Sequence, residues 1–303
     1  MAFASAAGYA NLPQGVFVPV IYSKNVLKFL RKASVAEAIT NSDYFGEIAN
    51  FGDVVRIMNE PTITLGDYQR GGNLVTQALE DDDFTITVDQ AKYFQFSVDD
   101  IEVKQSHLNW ESMATSSAAY KLKDSFDADI LDYISDNSTT NVYGSDVTIA
   151  NGGIDVGYGA GEVSPLALMS RLARLLDDDN VPEDNRWFVA NPSFWEVMQD
   201  ENSKLMGVDF TGDSASILRN GRVCDGMIRG FKCYKSNNLS SPTNAGALAI
   251  AGHMSAVSTA SQIVKMEKIR SEFSFADKVR GLHVYGRGVI RETCLAKAFY
   301  TID

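Results

Sequence analysis

Three histidines, three cysteines and two aspartate triplets are the residues of this chain whose types could do chemistry. His107, His253 and His283 lie far apart and form no HxxxH or HExxH spacing. A zinc site needs three or four converging ligands, so these read as separate structural histidines. Cys224, Cys233 and Cys294 show no CxxC spacing and an odd count, which fits reduced thiols in a cytosolic compartment. A thiolate nucleophile needs a base beside it, and the sequence pairs none of these cysteines with a histidine; only folding could do so. Asp81-Asp82-Asp83 and Asp177-Asp178-Asp179 lack the alternating carboxylates and turn glycine of a calcium loop. They read as solvated charge, with the first triplet on a hairpin where a basic partner could meet it. "GYGAG" (157–161) precedes a helix but lacks the GK[ST] ending of a phosphate loop, and reads as a connection. No Gly-x-Ser-x-Gly occurs either. No catalytic residue, cofactor or metal site is expected.

The elements around these residues are more informative. "DYQRGGNLVTQ" (67–77) centres on Gly71-Gly72, and alternating apolar and polar residues flank it on both sides: Thr62-Ile63-Thr64-Leu65 before, Phe84-Thr85-Ile86-Thr87-Val88 after. Period-two alternation marks strands, and a glycine pair suits a turn that needs positive φ. The stretch predicts the tip of a long hairpin spanning roughly residues 53–103, with a bulge or bend where the phase slips near Gln90 and the alternation resuming through Ile101 and Val103. A lone two-stranded ribbon is only marginally stable in water, so this one needs something to lean on.

Residues 1–22 are small, apolar and broken by Pro13 and Pro19, which predicts an extended arm. The same stretch lacks the basic start of a signal peptide. From Ser23 a helix is expected, with Lys24, Lys28, Arg31 and Lys32 on one face and Val26, Leu27 and Leu30 on the other. That basic stripe is either a solvated face or a contact. Asn109 precedes a long helix from Trp110, where Leu122, Phe126, Ile130 and Ile134 keep i+4 spacing; about 26 residues make a rod of about 40 Å. Ser164-Pro165 starts another helix with Leu168, Leu172, Leu175 and Leu176 as its apolar stripe, and Asn191-Pro192 starts a shorter one. "RWFVA" (186–190), "MIRGFKCYKS" (227–236), "ALAIAGH" (247–253) and the final "LHVYGRGVIRETCLAKAFYTI" (282–302) read as strands, the last as two with a turn near Glu292. The fold class is α+β, with no regular βαβ repeat.

Composition limits the partners. Of 303 residues, 45% are hydrophobic and 22% charged, and 27 basic against 39 acidic residues leave a net −12. Phosphate binding needs clustered Lys and Arg, so the surface as a whole is no nucleic-acid binder. Copies of the chain repel one another, and any assembly must win on apolar burial or local charge pairing. No stretch approaches the length of a membrane span.

The order of arm, hairpin, long helix, insert and closing strands resembles the major capsid protein of tailed bacteriophages, the Hong Kong ninety-seven-type shell fold, over essentially the whole chain. The phrases most similar to that family are "NVPEDNRWFVANPSFWEVM" (180–198), "MIRGFKCYKSNNL" (227–239), "AIAGHMSAVSTASQI" (249–263) and "FADKVRGLHVYGRGVIR" (275–291). The resemblance implies an N-terminal arm (1–49), an E-loop hairpin with peripheral-domain strands (50–104), a spine helix in the peripheral domain (105–163), an inserted axial domain (164–262) and closing strands returning to the peripheral domain (263–303). The E-loop would lie over the adjacent subunit, with Asp67, Arg70, Gly71, Gly72 and Asn73 as its contact tip. Lys24, Lys28, Arg31 and Lys32 would meet scaffold or a neighbouring subunit.

Further implied partners are other copies in hexamers and pentamers, a scaffolding protein, a portal protein and packaged double-stranded DNA held by enclosure, with no membrane. The place implied is the virion capsid, assembled in the bacterial host cytoplasm. Two departures from the family pattern matter. No lysine occurs between Lys32 and Lys92, so an isopeptide crosslink through the hairpin is not expected. The chain starts directly with its arm rather than a helical scaffolding segment, which implies a separate scaffolding protein. The rival readings are an encapsulin-type nanocompartment shell, and an enzyme whose site converges only on folding.

Overall fold

The computed structural model describes residues 34–41, 54–58, 63–73, 76–78, 83–105, 110–138, 140–141, 154–159, 161–200, 227–239 and 247–302. Its strands are β1 (Val54–Met58), β2 (Asp83–Thr87), β3 (Gln90–Asp99), β4 (Thr140–Asn141), β5 (Ile154–Asp155), β6 (Arg186–Ala190), β7 (Met227–Ile228), β8 (Phe231–Lys235), β9 (Ala247–His253), β10 (Val257–Arg270), β11 (Ala276–Val289) and β12 (Leu295–Thr301). They form three sheets: the pair β1-β2, the three-stranded β10-β11-β3, and a seven-stranded mixed sheet ordered β4-β12-β9-β6-β8-β7 with β5 also on β12.

The hairpin base is antiparallel, with Val54 opposite Thr87 and Met58 opposite Asp83. The phase slip near Gln90 is the point where the chain changes sheets. β2 pairs back to β1, whereas β3 leaves to pair with β11, from Asp99 opposite Ala276 to Gln90 opposite Tyr285. The hairpin therefore closes at Thr87, short of residue 103. Ile101 and Val103, expected to continue the alternation, lie instead in a helix, Asp100–Gln105. The cause is local: Asp99 Oδ1 accepts from the Ile101 N–H at 2.9 Å, which turns the strand into a helical start.

Where β2 crosses β11, two glycines allow close approach. A Cβ on Gly286 would stand 2.6 Å from the Thr87 carbonyl oxygen, and one on Gly288 would stand 3.1 Å from Ile86 and Phe84 side-chain atoms. Among the described residues the ribbon leans on its own chain at this crossing, where Ile86 is fully buried.

The long helix runs Trp110–Asn137, 28 residues. Phe126, Ile130, Leu131 and Ile134 are buried, while no residue of 111–125 is. Its C-terminal half is clamped to the strands. Tyr285 Oη donates to Asp129 Oδ2 at 3.0 Å, Arg287 pairs with the same carboxylate at 2.5 Å, and its guanidinium lies 4.6 Å over the Tyr133 ring. Burial and then the Asp129 charge raise the Tyr285 phenol above its ordinary pKa. Lys297 donates to the Ser135 carbonyl at 2.9 Å, and burial lowers its pKa.

The insert follows its sequence signals. Ser164 Oγ accepts from the Ala167 N–H at 3.3 Å, Pro165 opens the helix Pro165–Asp178, and Leu168, Leu172 and Leu176 are fully buried. Every residue of β6 is buried, and Phe188 packs its ring against Phe194, Trp195 and Phe231. β12 joins this sheet, pairing with β9 from Leu295 opposite Gly252 to Tyr300 opposite Ala247. Of the two closing strands, only β11 lies in the three-stranded sheet, and residues 262 and 263 fall inside β10 rather than at a boundary.

A candidate subunit-contact surface

Beyond β1 and β2 the described residues form no strand, and two contacts join the arms. Thr64 N–H donates to Gln77 Oε1 at 2.9 Å, and Gly72 N–H donates to the Gln69 carbonyl at 3.0 Å. In these pairs, as in the β1-β2 pairs, the two residue numbers add up to one constant total, so the hairpin is symmetric about the Arg70-Gly71 bond. Gly71 carries φ +87°, the left-handed conformation that the turn's third position requires. Gly72 has no positive φ, so only one of the paired glycines serves the turn by its conformation.

Asp67, Arg70, Gly71, Gly72 and Asn73 are all exposed. So are residues that sequence reasoning passed over as half-buried strand: Leu65 is 93% exposed, Tyr68 73% and Ile63 70%. Period-two alternation shows that a face is apolar and not what covers it. Among the described residues nothing does. The basic stripe of Lys24, Lys28, Arg31 and Lys32 lies outside the described residues, as do Asn109, His107, Cys224, Asp81 and Asp82.

The remaining candidates for chemistry are absorbed by structure. His253 Nδ1 sits 2.8 Å from Ser255 Oγ and accepts from the Ser255 N–H, and burial holds its pKa below the usual imidazole value. His283 packs beside Phe126 and Tyr285, also lowered by burial. Cys233 and Cys294 are buried and in no disulfide, and the Cys233 thiol donates to the Phe231 carbonyl at 3.6 Å. Asp177 pairs at 2.7 Å with the buried Arg186, which also donates to the Val181 and Pro182 carbonyls. The "GYGAG" loop closes on its own chain: Glu162 Oε2 accepts from the Gly159 N–H at 2.6 Å, filling the cradle. Among the described residues no three His, Cys, Asp or Glu gather as metal ligands, and no helix is long and apolar enough to cross a membrane.

The three-stranded sheet carries a web of exposed ion pairs. Arg270 bridges Asp100 and Asp277, Lys268 bridges Glu111 and Asp277, and Arg280 and Lys265 both reach Glu267. Hydrogen bonds from Arg270 hold the Asp100 and Asp277 carboxyls below the usual range, and Lys265 does the same for Glu267. Exposed pairs contribute little stability each; their effect is to tie β10 and β11 to each other, to the long helix and to the helix Asp100–Gln105. The tip of this ribbon is apolar again, with Phe273 91% and Phe275 80% exposed.

No family model matches the chain, and no curated protein matches it. Solved structures do. One from Mycobacterium phage Che8 is 29% identical, with a TM-score of 0.77 over 94% of this chain and 97% of that one. The capsid structure of Cyanophage P-SCSP1u is 19% identical, with a TM-score of 0.70 over 95% and 94%. The capsid of an empty GTA particle is 12% identical, with a TM-score of 0.70 over 98% and 100%. Over essentially its whole length the chain has the Hong Kong ninety-seven-type fold of these phage capsid structures.

Proposed function

We propose that this structural, non-enzymatic protein builds an icosahedral phage shell by laying its hairpin over the adjacent subunit, so that each copy supplies the cover another lacks. The observation that carries the reading is the ribbon itself: a hairpin paired at its base and turned at Gly71, whose Ile63 and Leu65 face solvent among the described residues. Burying a Leu or Ile side chain is worth about 1.5–3 kcal/mol. Head-to-tail contacts that close into rings multiply that gain and overcome the repulsion of a net −12 chain. The long helix and three-stranded sheet form the peripheral body, and the sheet around β6 forms the axial part, gathered at the hexamer and pentamer centres.

The hairpin carries no lysine, so the shell is not welded by isopeptide bonds. The similar structures are capsids of phages and of a GTA particle, which favours a genome shell over a nanocompartment. On that reading the chain resides in the virion, is assembled in the bacterial cytoplasm, and works with a portal protein and with DNA held by enclosure.

Purified protein is expected to form megadalton particles by size-exclusion chromatography and negative-stain microscopy, running as single subunits on a denaturing gel. Gly71→Val, which forces a β-branched residue to φ +87°, is expected to cut particle yield several-fold, with Gly72→Val milder. A stable lone monomer from the unaltered chain, with the ribbon folded back onto its own body, would exclude the shell.

The stripe of Lys24, Lys28, Arg31 and Lys32 fits an acidic partner, scaffold or subunit, better than DNA, since a lumen gripping the genome would hinder packing and ejection. Reversing these charges is expected to reduce scaffold-assisted assembly several-fold; unchanged assembly makes the stripe a solvated face.

A further inference from the structure

We propose that His253 is a proton-sensitive pin in the joint between the seven-stranded and three-stranded sheets: its neutral ring caps the turn that carries the chain from one sheet to the other, and protonation withdraws the cap.

Among the described residues the chain passes straight from strand to strand between these sheets twice. β9 leads into β10 through the 3-10 turn Met254–Ala256, and β11 leads into β12 through the turn Glu292–Cys294. The two passages meet at one atom: the carbonyl of buried Ala256 accepts from the Ile290 N–H at 2.8 Å and the Arg291 N–H at 3.3 Å. The first turn starts at His253, whose Nδ1 accepts from the Ser255 N–H at 3.2 Å. A capping side chain is most often Ser, Thr, Asp or Asn, none of which titrates near neutrality. An imidazole cap does.

A ring nitrogen that accepts carries no hydrogen, so the neutral ring keeps its proton on Nε2. The second proton lands on Nδ1. Ser255 Oγ, 2.8 Å away, can take that new N–H, but the Ser255 backbone N–H then faces a donor and loses its acceptor. Arg186 stands opposite His253 on β6, and Arg291 follows β11. Lys232 on β8 donates to Asn185, whose carbonyl accepts from the Met254 N–H, and the facing turn holds an exposed Glu292 and the buried Cys294. Burial first, then Arg186 and Arg291, holds the ring's pKa below the ordinary imidazole value, against the Asp184 backbone and carboxylate, which favour the proton. The unfolded chain therefore takes this proton first. The capped turn keeps its full stability above about pH 6.5 and loses it as the pH falls through the lowered folded value.

The test follows the purified protein by mass spectrometry between about pH 7.5 and about pH 5, which brackets the ordinary imidazole value. Deuterium uptake at the imidazole carbon reports when the His253 ring titrates. Backbone amide exchange, corrected for its intrinsic pH dependence, reports the two passages through peptides covering 253–258 and 288–293. Protection in both peptides is expected to fall several-fold with the midpoint of the His253 ring. His253→Asn keeps a capping oxygen that does not titrate, and its protection is expected to hold across the range. His283 stays in that variant, so any loss that it causes appears in both proteins. Equal losses in parent and variant overturn the proposal, as does a ring that titrates with protection unchanged. Should the variant fail to fold, the parent's two curves decide alone: coincident midpoints support the pin, and separate ones overturn it.

Discussion

Replacing Asp127 by alanine is expected to leave little folded, assembly-competent protein. Asp127 is fully buried in the long helix, and its carboxylate collects donors from two distant parts of the chain. Oδ1 accepts from the Val35 N–H at 2.6 Å, the Ala36 N–H at 2.8 Å and the Ser34 hydroxyl at 3.2 Å. Oδ2 accepts from Asn238 Nδ2 at 2.9 Å, and the same amide also donates to Asp124. The short helix Ala36–Ile39 has no cap from its own Val35 side chain, so Asp127 supplies from outside what a local Ser or Asp would supply. Alanine orphans two buried backbone donors at about 1–3 kcal/mol each, a large share of the 5–15 kcal/mol that holds a domain together. Soluble yield and the thermal midpoint of the purified protein measure this, with a midpoint within a degree of the parent refuting it. Asp127→Asn keeps an oxygen for Val35 and Ala36 but sets its own NH₂ against that of Asn238, so it is expected to fall between parent and alanine.

Asp127 also shows where the sequence stops being legible. The helix "DSFDADILDY" offers Asp124, Asp127, Asp129 and Asp132, and i+4 spacing finds Phe126, Ile130 and Ile134 but cannot say which acid is inside. That depends on residues 34–36 and 238 arriving from elsewhere. Where the physics is local, reading succeeds: the Ser164 cap, the Leu168, Leu172 and Leu176 stripe and the Gly71 turn each depend on neighbours within a few positions. Where strands choose partners, it fails. "LAKAFYT" reads as a strand, but nothing in it says that it joins β9 rather than β11. Ile101 and Val103 fit alternation as well as they fit the helix that Asp99 starts. The contact surface divides the same way. The turn is legible, whereas the exposure of Ile63 and Leu65 emerges only from the folded structure, in which no described residue covers them.

Gly286 gives the second large effect, and a sign argument decides it. Neither Gly286 nor Gly288 has positive φ, so by propensity alone an alanine at either site should favour the strand, by roughly 0.5–1 kcal/mol. At Gly286 close approach outweighs that gain. The new Cβ would stand 2.6 Å from the Thr87 carbonyl oxygen and 3.0 Å from the Val88 Cα, both backbone, so the corner between β2 and β3 must lift bodily. Overpacking of this kind costs about 1–3 kcal/mol, and the displaced corner is the one that aims the ribbon at its neighbour. At Gly288 the nearest atoms belong to the Ile86 and Phe84 side chains at 3.1 Å, which can yield by a few tenths of an ångström. Gly286→Ala is therefore expected to lower both the thermal midpoint and, more steeply, the yield of closed particles, while Gly288→Ala stays near the parent in both. Equal effects at the two sites would mean that the crossing of β2 over β11 does not hold the ribbon in place.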